Sequence, residues 1–272
     1  MARSQIYYNL SNEDYHNEKS SFSRSSIMDF KKSPKNYWAK HIKEDRPAKE
    51  STPAMEFGTA FHTLILESHL FDIQYICLPE KVLKKDNQKQ YEINKILEEE
   101  AEKNKVKVLS HADYTRLRDM QAALRGNEKA RELITDGVYE SSYFWEDEAS
   151  GLMLKARPDI LKRNFYVDLK TIDDASPANF QRAMVTGGYH IQAAMIRDAV
   201  RYHHGSELSA FINICVEKNY PYSIGIYIID EEAINVGENE YKSLLLRMKS
   251  CIVNNDFPDL EILNIGLPTW AK

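Results

Sequence analysis

Only three cysteines, Cys77, Cys215 and Cys251, occur in the 272 residues. They are widely spaced and form no CxxC pair, which excludes a zinc ribbon or a disulfide scaffold and predicts reduced thiols in a cytoplasmic setting. No run approaches the roughly 18 apolar residues a membrane span needs. The opening MARSQIYYNL lacks the apolar centre of a secretory signal, so nothing in it directs export. Positive charge is not in excess either. The formal net charge is −5, whereas most nucleic-acid binders carry a basic footprint. Glycine and proline are too few, at 10 and 9, to mark a flexible linker, and no fixed-period repeat argues for a solenoid. The chain is long enough to bury a substantial core. It reads as one domain, 1–272, with a helical part over about 1–135 and a sheet-bearing part over about 136–272.

Local charge departs from the total. Residues 24–49 carry Arg24, Lys31, Lys32, Lys35, Lys40, Lys43, Arg46 and Lys49 against Asp29, Glu44 and Asp45. Charge alone leaves two readings open, a solvated helix surface followed by a loop or a patch that faces an anion.

Periodicity supplies the elements. SFSRSSIMDFKKSPKNYW reads as two short helices, capped by Ser23 or Ser25 and separated at Pro34. Thr52-Pro53 is a cap and first-turn pair for a helix PAMEFGTAFHTLILESHL, in which Gly58, Thr59 and Ala60 permit close approach of another backbone. Helices are expected over 86–104 and 111–135, a strand at VYESSYFW, helices at SPANFQRAMV and HIQAAMIRDAVRYHHG, and strands at SAFINICVE and YSIGIYIID. A long helix from Glu231 to about Val253 closes the pattern. That order predicts an α/β, α+β layered core rather than a bundle or barrel.

The segment ARPDILKRNFYVDLKT, residues 156–171, reads as an antiparallel hairpin. Leu154, Ala156, Ile160, Phe165, Val167 and Leu169 alternate with Arg157, Asp159, Asp168 and Lys170. A two-residue turn at Arg163-Asn164, with Asn tolerating a left-handed backbone, sets Ile160 opposite Val167 and Asp159 opposite Asp168. A three-residue loop would instead put the aspartates on opposite faces. Opposed carboxylates repel, so they call for a shared proton or a divalent cation with oxygen ligands. Lys170 lies on the same face as Asp168.

RPD followed by DLK resembles the PD-(D/E)XK nuclease signature, through Pro158-Asp159 and Asp168-Leu169-Lys170. GTAFHTLILE is similar to the histidine helix of the RecB-type branch, and YHIQAAMI to its glutamine helix. The opening SFSRSSIMDFKKSPKNYW and closing PDLEILNIGLPTWAK resemble the RecE-type (exonuclease VIII C-terminal) exonucleases of phages and prophages. One position departs: the tyrosine usual four residues after the glutamine is here Ile196.

The resemblance implies a restriction-endonuclease-like core, a central mixed sheet flanked by helices. It implies a metal-dependent 5′-to-3′ exonuclease that acts on linear double-stranded DNA and leaves 3′ tails for recombination. Asp159, Asp168, Lys170 and Gln192 would be catalytic; His62, Asp159, Asp168 and the Leu169 carbonyl would hold Mg2+. Mn2+ should substitute, since imidazole suits it better. Ser23, Arg24 and Ser25 would hold a 5′-phosphate at a helix N-terminus. Partners would be duplex DNA ends, a single-strand annealing or recombinase protein, and further copies in a ring. Two alternatives stay open: a structure-specific or restriction-like endonuclease, and a catalytically silent DNA-end binder. Read alone, His62 fits a hydrogen-bonded core histidine, Gln192 a solvent-facing residue, and the aspartates surface pairs with Arg157 and Lys170. His203-His204 reads as a solvated helix end rather than a metal pair.

Overall fold

Apolar alternation from residue 138 onward does produce strands, but they divide between two sheets where one was expected. The structure, a computed structural model, describes residues 4–43, 51–79, 84–259, 264 and 266–267. Arg46, Lys49 and most of the closing segment read above lie outside the described residues.

The chain starts with β1 (Gln5–Tyr7) and α1 (Asn12–Asn17), followed by α2 (Arg24–Lys32) and α3 (Pro34–His41). As expected, Pro34 separates the last two. It occupies the first turn of α3, where its missing N–H costs nothing, and Ser33 caps that helix through the Asn36 amide at 3.2 Å. α4 (Pro53–Leu66) begins at the predicted Thr52-Pro53 pair, with Thr52 Oγ1 accepting from the Met55 amide at 3.3 Å. α5 (Ser68–Gln74), β2 (Tyr75–Cys77), α6 (Gln88–Lys103) and β3 (Lys107–Leu109) follow. The helix expected over 111–135 is broken into α7 (His111–Gly126) and α8 (Glu128–Ile134), because Asn127 turns back to cap α8 through the Ala130 amide at 3.0 Å.

Then come β4 (Val138–Tyr139), β5 (Ser142–Glu146), β6 (Met153–Ala156), β7 (Ile160–Leu161) and β8 (Phe165–Ile172). α9 (Pro177–Gly187) and α10 (Tyr189–His204) cross over to β9 (Ala210–Glu217), and β10 (Ile224–Ile228) and α11 (Glu231–Asn254) are the last elements among the described residues. The main sheet is mixed, in the order β10-β9-β8-β7-β4, with β8 and β9 parallel and the other neighbours antiparallel. A three-stranded sheet, β1-β5-β6, packs beside it, and β2 pairs with β3 in parallel.

Two cores clasp the main sheet. On β8, Val167 and Leu169 join Ile212, Ile214 and Val216 of β9 in a core with Phe57, Phe61 and Leu64 of α4 and Leu117, Met120 and Leu124 of α7. Tyr166 and Phe211 point the other way, into a core with Ile27 and Phe30 of α2, Ile191 and Met195 of α10, and Tyr241 and Leu245 of α11. Period-2 alternation of these strands therefore assigns Asp168 and Lys170 to the α10 face.

The hairpin register holds: Ile160 pairs with Val167 and Leu161 with Tyr166, and Lys162 donates to the Phe165 carbonyl at 2.9 Å around Arg163-Asn164. Neither turn residue is left-handed, contrary to expectation. The Asn164 carbonyl instead accepts from the amide and hydroxyl of Ser209 at 2.6 and 2.9 Å, which fixes the turn from outside.

Both hairpin arms are kinked, where continuous strands were expected. VYESSYFW breaks at Glu140-Ser141 and the facing strand at Arg157-Pro158-Asp159. Pro158 supplies no amide to a ladder, and Glu140 adopts φ 48. The outer halves, β5 and β6, pair in the smaller sheet and the inner halves, β4 and β7, in the larger one. Leu154 and Ala156 thus enter the α10 core while Ile160 enters the α4 core.

Candidate active site

The kink places chemistry at the join of the two sheets. The Glu140 amide donates to the Asp159 carbonyl at 3.1 Å across the break, which ties the two residues side by side. Asp159, 7% exposed, accepts from the Leu169 amide through Oδ2 at 2.7 Å. His62 arrives from α4, its Nδ1 3.6 Å from the same Oδ2. Gly58 of α4 faces β8, where a Cβ would stand 3.6 Å from Thr171 Oγ1, an ordinary contact distance. One donor atom from each of His62, Glu140 and Asp159 falls within 4.8 Å of the other two. His62 is therefore placed at the cleft beside a carboxylate rather than sealed in the core.

Asp168 belongs to a different network. Its Oδ1 accepts from Gln192 Nε2 at 2.8 Å and from the Tyr166 hydroxyl, and its Oδ2 from Asn213 Nδ2 at 2.9 Å and from the Lys170 ammonium. Lys170 also stands 5.0 Å from the centre of the Tyr189 ring. Asp168 is 1% exposed and Lys170 half-buried, so the pair is no surface ion pair. Arg157 does not pair with Asp159: it stacks 4.2 Å over the Tyr15 ring and donates to Ser142 Oγ at 2.8 Å.

Electrostatics separate the acids. Burial would raise Asp168, but the Lys170 charge and hydrogen bonds from Lys170 and Tyr166 outweigh it, and the carboxyl titrates below its ordinary range. Asp159 titrates above it: burial and the Asp168 charge exceed the opposing His62 charge. Glu140 lies well above, through burial and the Asp159 charge. Lys170 is raised, because Asp168 and Asp159 overcome its burial.

A cleft of about 400 Å³ is lined by His62, Glu67, Glu140, Asp159 and Gln192 together with Ser23, Arg24 and Ser25, whereas Asp168 and Lys170 are not among its lining residues and join it through Gln192. The structure thus brings together His62, Asp159, Leu169, Asp168, Lys170 and Gln192. Gln192 reaches Asp168 and the Tyr166 hydroxyl, the latter at 3.0 Å, while its buried Oε1 accepts no hydrogen bond among the described residues. It is not a solvent-facing residue. Ser23 caps α2 reciprocally with Ser26, its amide 2.9 Å from Ser26 Oγ; its hydroxyl lies 3.0 Å from that of Ser25. The Arg24 guanidinium donates to the Gly187 carbonyl. Beyond Arg24, Lys31 pairs with Glu240, Lys35 with Asp259 and Lys40 with Asp29, so much of the local basicity is matched by acids.

Two features went unread in the sequence. Glu140 lay inside an expected strand, and only the tertiary kink reveals its place. His204 is exposed at the end of α10, as read, with its Nε2 3.1 Å from the Tyr143 hydroxyl, while His203 is half-buried and donates to the Phe144 carbonyl at 2.8 Å, so that both fasten α10 to β5. Cys77, Cys215 and Cys251 are free thiols, and among the described residues no helix is long and apolar enough to cross a membrane.

Residues 23–262 match the family described as "PDDEXK-like domain of unknown function (DUF3799)". Among solved structures, the chain is similar to a protein from Eubacterium rectale described as a "putative exonuclease", with 16% identity, a TM-score of 0.62 and 97% of each chain covered. No curated protein matches it. The architecture shared with that neighbour is the likeness that counts, since identity is so low.

Proposed function

The chain belongs to the DUF3799 family of PDDEXK-like domains, and we propose that it is a divalent-metal-dependent deoxyribonuclease acting on linear double-stranded DNA from 5′ ends. The observation that carries this reading is Asp159, Asp168 and Lys170 on paired neighbouring chain segments, with His62 beside Asp159. The exonuclease description of the Eubacterium rectale neighbour agrees with it.

The donor set fits a hard cation. Carboxylate oxygens suit magnesium, and one imidazole shifts preference toward manganese. His62 and Asp159 would hold the ion, with Asp168 and the Leu169 carbonyl as further oxygens in the scheme the family resemblance implies. When bound, such an ion neutralises phosphate charge and lowers the pKa of water.

The chain's own residues supply the rest. Lys170, kept cationic by Asp168 and Asp159, would stabilise negative charge developing on a phosphate. Gln192 and Tyr166 hold Asp168 in one rotamer. The free Gln192 Oε1 can accept a hydrogen bond from a water that attacks the phosphate. Ser23, Arg24 and Ser25, at the N-terminus of α2, would receive a terminal phosphate. We further propose a single domain that works in the cytoplasm in recombination, as a ring of copies feeding an annealing or recombinase protein. Basic residues then need line only the DNA path, consistent with the net charge of −5.

End-labelled linear duplex and covalently closed plasmid, each incubated with magnesium, test the reading. Early release of the 5′ label with the circle intact is expected. Cutting of the circle would favour the endonuclease, and binding of ends without nucleotide release would favour the silent binder.

A further inference from the structure

We propose that Glu140 is a protein ligand of the divalent cation, completing with His62 and Asp159 a three-donor site at the join of the two sheets. This rests on the metal-dependent reading above and differs from a site built on Asp159 and Asp168 alone.

Geometry carries it. His62, Glu140 and Asp159 offer three donor atoms within 4.8 Å of one another; donors on one small cation at ~2.1 Å stand at most ~4.2 Å apart, so the widest pair need close by no more than ~0.6 Å. The Glu140 carboxylate accepts no hydrogen bond and forms no ion pair among the described residues. Asp159 Oδ1 accepts none either, its partner Oδ2 being taken by the Leu169 amide. Asp168, by contrast, has both oxygens occupied by Tyr166, Gln192, Asn213 and Lys170.

The backbone makes the same point. Glu140 holds φ 48, a left-handed conformation unfavourable for a residue with a side chain. Its amide is spent on the Asp159 carbonyl. Such a position suits glycine, yet the sequence places a carboxylate there, half-buried against a second one. A local cost of this kind persists where function requires it. A second, independent observation is the buried Gln192 Oε1, which has no hydrogen-bond partner among the described residues and lies in the same cleft.

The test is calorimetric titration of the metal-free full chain with manganese chloride, for the natural protein and the variants Glu140→Gln, Glu140→Gly and Glu67→Gln. Glu67 lines the same cleft but stands outside the triad, so it controls for loss of negative charge. Both Glu140 variants should bind manganese at least ten-fold more weakly, and Glu67→Gln within about two-fold of the natural chain. Glu140→Gly suits the left-handed backbone and decides the matter if the glutamine variant misfolds. Natural-strength binding by either Glu140 variant, or an equal loss in Glu67→Gln, would overturn the assignment. Glu140-dependent manganese binding without DNA hydrolysis would uphold it and remove the nuclease reading. Hydrolysis with Glu140-independent binding would do the reverse.

Discussion

Asp168 accepts from Tyr166, Gln192 and Asn213 and neutralises Lys170, whereas Asp159 holds one amide and faces other acids. The same residue type therefore has opposite effects on stability. A carboxyl held below its unfolded-state pKa stabilises the fold at neutral pH, and that contribution is lost as pH falls through the folded value. A carboxyl held above it costs stability once ionised. Asp168→Ala strands a buried ammonium, and losing one member of a buried pair costs about 3–5 kcal/mol. Asp159→Asn keeps an acceptor for the Leu169 amide and removes repulsion, so its cost stays within about 1 kcal/mol or changes sign. Thermal melts of metal-free protein at neutral pH should show a large fall for the first variant and a small fall or a rise for the second; equal falls would contradict the division of labour.

At the scale of elements, α10 and α11 cross with almost no gap. A Cβ on Gly237 would stand 2.5 Å from the His190 carbonyl oxygen, so Gly237→Ala must push the helices apart. Overpacking of this kind costs about 1–3 kcal/mol, read as a lower melting temperature. The same helices are joined to α2 through Glu240, which accepts from Lys31 and from His190, the latter at 3.3 Å. Burial pushes Glu240 up, but hydrogen bonds from Lys31 and His190 exceed it and the net direction is down. Its stabilisation is therefore present above the unfolded carboxyl pKa and disappears as pH falls through the depressed folded value. Partial exposure screens the pair to under about 1 kcal/mol. Melting temperature plotted against pH should have a shallower acid limb in Glu240→Gln than in the natural chain, with a small deficit at neutral pH.

For the whole molecule, the helical first half and the sheet-bearing second half share one core: Phe61 and Leu64 of α4 and Leu117 of α7 pack on Val167, Leu169 and Ile214. Lys155 donates to the Tyr15 carbonyl at 2.7 Å and, beside it, to the Glu18 carbonyl, tying the N-terminal segment to the smaller sheet. One cooperative calorimetric transition is expected, with equal van't Hoff and calorimetric enthalpies; two resolved transitions would mean two domains.

Much of this plan was legible in the residues. The hairpin register followed from the turn length, the break at Pro34 and the start at Thr52-Pro53 from local chemistry, and the layered class from element order. The kink was not legible. A strand pattern continues through Glu140 and Arg157, and it is pairing with distant partners that assigns each half to a sheet. Asn127 was likewise hidden, because a cap inside a helical pattern differs little from a surface residue until the helices are packed.

The proposed hydrolysis uses Asp159, a divalent cation and Lys170. The most direct measurement is release of label from 5′-labelled linear duplex by the natural chain with magnesium, by the natural chain with a chelator, and by Asp159→Asn with magnesium after its fold is verified by melting. The account predicts release in the first case and at least a hundred-fold slower release in the other two. Release by the folded Asp159→Asn variant at the natural rate would contradict it.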